Sequence, residues 1–434
     1  MFYPARLREI ANRNAARHPW AADIREQVVT AAKPWLDMAD EDLWALMFGP
    51  AITRSWMVWS DGYCPACKKP VPMYNWRMEP LRQAWKVCCP HCNEVFPKND
   101  FAAFYRSGLG KDGLFDPKKA DRSLLVNLEH PDPNDPLHTF GVDDGEGYTA
   151  DGHRWRFIGA YLVYGQWKQM VLGGVMNLAG AYVMTGQAAY AHKAAVLLDR
   201  VADVYPSFDY ATQGLVYEKR SGDGYVSIWH DACEETRQLA LAYDAVRDGL
   251  GGDKGLVTFL AGKARRCGLS NGKTSVEDIC RNIEEGILRH ALAHVPRITS
   301  NYPRTDSAIA TIHAILDPVG SRQKVKSIID DIVGESTAVD GTTGEKGLAA
   351  YSALGVQALA QVLALFDRTE PGFLEHMIEK HPQLRQTYRF HIETWFQQMY
   401  YPNVGDSGSF AGRNAAYAGI RLSPPGAHGL VLQR

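Results

Sequence analysis

Two cysteine pairs constrain this chain more than any other feature. Cys64-Pro65-Ala66-Cys67 and Cys89-Pro90-His91-Cys92 are separated by twenty-one residues. At that spacing two short turns can present four thiolates tetrahedrally to one ion, so residues 61–100 read as a four-cysteine zinc ribbon. Each proline stiffens its turn, and knuckle amides aimed at the sulfurs stabilise their charge. Four ligands leave no open position, so the Zn2+ expected on Cys64, Cys67, Cys89 and Cys92 is structural. Cys88 is a spare that could replace Cys89 only by distorting the second knuckle. In an exported protein the four could instead form two disulfides. Cys233, Cys267 and Cys280 fall in helical patterns and read as small buried hydrophobes.

At 434 residues the chain has room for one large domain plus an appendage. Its hydrophobic share of 46% and charged share of 22% are those of an ordinary globular protein. A net charge of -2 gives no surface-wide grip on polyanions, so nucleic acid is not the expected partner, although a local cationic cleft stays open. No run reaches eighteen apolar residues, and no membrane partner is expected. The start Met1-Phe2-Tyr3-Pro4-Ala5-Arg6 lacks the basic flank and apolar run of a secretory signal, so the protein is expected to be intracellular or to have a leader outside this sequence. Oligomeric state leaves no trace in the sequence.

Residues 1–60 show helical periodicity with many tryptophans and read as a segment packing on the main domain. Residues 101–155, rich in Pro, Gly and Asp, predict a long irregular connection. Beyond it helices are expected at about 166–185, 187–204, 231–248, 253–267, 275–294, 304–316, 321–333, 347–366, 371–380 and 383–400, with breaks at Gly or Pro such as Gly186, Pro206, Gly268, Pro296, Pro318, Gly334 and Pro371. Alternating patterns are missing, so the fold class is mainly α. Several helices, Met170 to Met184 among them, are apolar on more than one stripe, which suits an inner ring covered by an outer one. The expectation is an (α/α) toroid over 101–434, an incomplete barrel of antiparallel helix pairs.

The stretch Asp340-Gly341-Thr342-Thr343-Gly344-Glu345-Lys346-Gly347 runs into an apolar helix carrying Tyr351. Its glycines let the backbone approach a ligand, and a phenol in the first helical turn can give or take a proton. It reads equally as a capped helix with an ordinary buried tyrosine.

With Asn301-Tyr302-Pro303-Arg304 before an apolar helix, then Asp340-Gly341, Glu345 and Tyr351, and earlier Met176-Asn177-Leu178-Ala179-Gly180-Ala181-Tyr182, the chain resembles heparinase II/III-type and alginate-lyase-type polysaccharide lyases over about 150–410. The tail Pro402-Asn403-Val404-Gly405-Asp406-Ser407 is also similar to a segment late in that family's toroid. The resemblance implies β-elimination on a uronic-acid-containing polysaccharide. It further implies that Asn301 neutralises the sugar carboxylate and that Tyr351 serves as acid, or as acid and base. It suggests a periplasmic or secreted location. The sequence departs from the pattern where alginate-type enzymes place histidine after the asparagine, since Tyr302 stands there. The family's C-terminal β-rich domain, another source of histidine, is expected to be absent. Tyr302 and His230 are the candidate substitutes; His230 could also be a helix-start histidine bonded to Asp231.

Substrate contacts are expected from aromatics and charged groups at loop ends, namely Arg304, Glu345, Lys346, Trp229 and Glu234. Two other functions compete. Paired carboxylates among Asp231, Glu234, Asp340, Glu345 and Asp406 would suit a glycoside hydrolase of the same architecture. A non-catalytic scaffold that binds acidic glycans needs neither.

Overall fold

The structure, a computed structural model, describes residues 2–394 apart from Met73, Ser221, 339–340 and 344–351. It is mainly helical; strands among the described residues form three two-stranded pairs, Arg54–Ser55 with Gly214–Leu215, Val87–Cys88 with Val95–Phe96, and Tyr148–Ala150 with His153–Trp155. No described helix is long and apolar enough to cross a membrane.

Two compact units divide the chain, one of Ile10–Thr299 and one formed by Met1–Glu9 with the chain from Ser300 onward. The expected boundaries at 60 and 100 do not separate units. The ribbon shares a core with the helical body, in which Cys64, Val71, Val87, Cys89 and Phe96 pack with Trp155, Phe157 and Tyr161. A ribbon of this size has too little apolar surface to bury alone, so it borrows a neighbour's.

In the larger unit the helix Gly173–Thr185 packs against Pro19–Leu36, Ala188–Val204 and Trp229–Val246. Its all-round apolar character follows from that central position. Gly174 is required there, because a Cβ would lie 2.6 Å from the Trp35 ring, whose Nε1 donates to the Met170 carbonyl at 2.8 Å. Gly186, at φ 68°, ends the helix in the left-handed region and Gly268 ends Lys254–Cys267 likewise, as their positions in the sequence predict. Nothing in the sequence, however, signals that Leu162–Leu172 is a π-helix. Such segments are rare and often lie at functional sites.

In the smaller unit Arg304–Leu316, Arg322–Ser336 and Ala353–Asp367 pack each on the next, followed by Phe373–Lys380 and Gln383–Glu393. The break expected at Gly334 does not occur. The helix continues to Ser336 because Ile329, Ile332 and Val333 are buried along it, which outweighs the roughly 1 kcal/mol helix penalty of a glycine.

The 101–155 connection is irregular except for the helix Phe101–Ser107, a 3-10 turn at Arg122–Leu124 and the hairpin at 148–155. Asp143 organises its end. Its carboxylate accepts from the amides of Gly145 at 2.7 Å, Gly147 at 3.0 Å and Ile158 at 3.1 Å, while burial pushes its pKa up to about 6. Trp155 is fully buried and donates to the Tyr63 carbonyl at 2.7 Å, so this loop packs on the ribbon.

Candidate functional site

Both cysteine knuckles have the same backbone. Lys68 N donates to the Cys64 carbonyl at 2.9 Å and Asn93 N to the Cys89 carbonyl at 3.1 Å, and both residues take left-handed φ, 60° and 61°. Cys64, Cys67, Cys89 and Cys92 are free thiols whose sulfurs lie within 4.8 Å of one another. Sulfurs about 2.3 Å from a tetrahedral ion stand about 3.8 Å apart, and Cys64 and Cys92 are separated by 3.8 Å. The donor set fits one thiophilic ion, and two disulfides are not formed. Cys88 stands aside, its sulfur held by Arg77 Nη2 at 3.3 Å.

Arg77 also exchanges both backbone hydrogen bonds with Cys88, and its Nη2 donates to the Cys89 carbonyl at 3.3 Å. The second knuckle thereby fixes the segment 74–79. Between this segment and the π-helix lies an open cavity of about 380 Å³, lined by Trp56, Tyr74, Trp76, Arg77, Tyr164 and Gln169 among others. That volume is in the ligand range of about 300–1,000 Å³. Two hydrogen bonds span it, from Trp56 Nε1 to the Tyr74 hydroxyl at 2.7 Å and from Gln169 Nε2 to the Met78 carbonyl at 3.1 Å. Two residues before Trp56, buried Arg54 donates to the carbonyls of Val226 at 2.9 Å and Tyr225 at 3.2 Å.

The cavity adjoins a charged cluster. Lys168 reaches from the π-helix over the rings of Tyr164 at 4.6 Å and Trp56 at 5.2 Å and pairs with Asp231. The other oxygen of Asp231 lies 3.4 Å from His230 Nε2, and the His230 side chain is 48% exposed. Trp229 packs on Trp56 with ring centroids 5.8 Å apart. Trp229 and Tyr74 both hold positive φ, 54° and 66°, a conformation that bulky residues adopt only when their surroundings impose it. Beneath them Glu235 is buried and accepts from the Ser227 hydroxyl, and burial raises its pKa to about 7. Burial also raises the Tyr164 pKa, and its hydroxyl is shielded from solvent with no hydrogen-bond partner among the described residues.

Of the residues singled out by sequence, Trp229 and His230 belong to this cluster, and Glu234 lies on the same helix. Glu234 forms a bidentate pair with Arg237 at 2.8 and 2.9 Å. Asn301, Tyr302 and Arg304 lie in the smaller unit, at the start of its first helix. Asn301 is exposed in a turn, its carbonyl accepting from Arg304 N at 2.9 Å. The Tyr302 hydroxyl donates to the Asp331 carbonyl at 3.1 Å, and burial with the nearby Glu335 charge raises its pKa, so it keeps its proton and makes a poor base. Glu345, Lys346 and Tyr351 lie outside the described residues. Sequence reasoning missed Lys168, Asp231 as the bridge between Lys168 and His230, and the whole groove; the aromatic spacing in 56–59 and 74–76 is its only trace. Comparison with family models, with curated proteins and with solved structures gives no match.

Proposed function

We propose that the chain is a polysaccharide lyase acting by β-elimination on a uronic-acid-containing glycan, built on an (α/α) toroid. The observation that supports this most is the Lys168–Asp231–His230 series beside edge-packed aromatics. A half-exposed imidazole beside a carboxylate is a usual arrangement of a general base, and His230 is the candidate for that role. Aromatic faces suit pyranose rings, and the ammonium suits a uronate. In this reading His230 takes the C5 proton; carboxylate neutralisation by Asn301 and protonation of the leaving oxygen by Tyr351 rest on the resemblance alone. Arg304, Lys346 and Glu345 serve the substrate. The four-cysteine site takes zinc as a structural ion that holds the ribbon; about one equivalent per chain is expected by metal analysis, and a folded, fully reduced, metal-free preparation would contradict it.

A panel of uronans assayed by ultraviolet absorbance tests the reaction. Unsaturated product from at least one member is expected, lost in His230→Ala and in Tyr351→Phe. Absence of product across the panel sinks the lyase reading. Glycoside hydrolysis is the second reading, favoured by Glu235, a carboxyl with its pKa near 7, one helical turn from the ion-paired Asp231. Saturated products would select it.

A further inference from the structure

We infer that the groove between the metal ribbon and the π-helix is a glycan subsite, and that the four-cysteine centre serves binding by holding one wall of it. The inference takes its class of ligand, an acidic glycan, from the proposed function, but the groove argues for a sugar by itself. Its lining is rich in aromatic side chains, Trp56, Tyr74, Trp76 and Tyr164. Its charged and amide side chains are few: Arg77, Glu79 and Gln169. That mixture of flat apolar faces with sparse hydrogen-bonding groups matches a pyranose, which has apolar faces and a polar rim.

The Tyr164 hydroxyl supplies the second observation. It is enclosed beside the cavity and bonded to nothing among the described residues, although a buried hydroxyl normally finds a partner. A sugar oxygen in the groove reaches it once the Tyr164 ring turns outward, since the hydroxyl is closed to solvent in this structure. Tyr74, 56% exposed with a left-handed backbone, is a large aromatic left in solvent at the mouth, as a stacking platform would be. Both walls are built rather than incidental. The π-helix sets one, carrying Tyr164, Lys168 and Gln169, and Arg77 couples the other to the second knuckle through its bonds to Cys88 and Cys89. Without the metal, four thiols no longer hold the two knuckles together, and Tyr74, Trp76 and Arg77 lose their fixed position.

Calorimetric titration of the full chain with oligosaccharides of alginate, oligogalacturonate, hyaluronan and chondroitin tests this. At least one should bind, with about threefold to tenfold weaker affinity in Tyr164→Phe, the value of one hydrogen bond. Tyr74→Ala should weaken it about tenfold or more. Protein stripped of metal by a chelator, with helix content retained, should bind as poorly as Tyr74→Ala and recover when zinc is restored. Native affinity in both variants, native affinity after stripping, or no binding by any oligosaccharide overturns the inference. Its failure is separable from that of the lyase reading. Binding with these dependences but no unsaturated product leaves the groove and removes the lyase, whereas elimination with unchanged KM in Tyr74→Ala and Tyr164→Phe does the reverse.

Discussion

Two polar clusters in the larger unit, one fully buried and one half-buried, are satisfied to different degrees. At Lys273 the ammonium is fully enclosed and pairs with both Asp199 and Asp203, and the Asn282 amide donates to each of these carboxylates at 2.9 Å. Every group there has a protein partner. Beside the groove, Lys168 and Asp231 also pair, yet among the described residues the Tyr164 hydroxyl has no partner and Glu235 is buried without a cation bonded to it. Both clusters join distant parts of the chain. The first uses its polar groups to tie the loop before Val276–Ile283 to Ala188–Val204, while the second holds some of them open, and a polar group kept dry and unpaired is costly unless a ligand completes it.

The comparison can be broken by substitution. Lys273→Met should have the largest effect, a loss of about 3–5 kcal/mol in denaturant unfolding, because it leaves two carboxylates enclosed without their cation. A loss below about 1 kcal/mol would mean that the Lys273 cluster is not the tie it resembles. Glu235→Gln should act in the opposite direction. Burial raises the folded pKa of Glu235 from the ordinary 4.5 to about 7. The folded state therefore holds this proton more tightly than the unfolded chain does, a contribution present at low pH and lost as the pH rises from 4.5 through about 7. Calorimetry should show the variant melting a few degrees above the native protein near pH ~8, with the gain vanishing near pH ~5. An equal gain at both pH values would assign the effect to packing. Tyr164→Phe should have the smallest effect on stability, between none and a gain of about 1 kcal/mol, since the hydroxyl it removes has no bond to lose. A clear loss would reveal a partner for that hydroxyl and close the gap between the clusters.

The ribbon and the helices were legible because their determinants are local. Cys64 to Cys67 and Cys89 to Cys92 each form one turn, and the matching backbone at Lys68 and Asn93 follows from the knuckle alone. Helix ends at Gly186 and Gly268 follow from the freedom of glycine at positive φ. His230 was legible as a helix-start histidine beside Asp231; what was not legible is that Asp231 also pairs with Lys168, while Glu234 turns to Arg237 and Glu235 to Ser227. The end of Arg322–Ser336 was misjudged because buried isoleucines outweigh a glycine, a packing effect that propensity does not contain.

By itself the sequence determined which cysteines can share an ion and where most helices run, because bonding over a few residues depends on little beyond those residues. Only the tertiary structure decided that Trp56, Tyr74 and Tyr164 line one groove with Trp229 packed on Trp56, that Lys168 meets Asp231 across sixty-three positions, and that burial raises the Glu235 pKa to about 7. Those properties come from burial and from which distant side chains share a space, and both are set by how the helices pack.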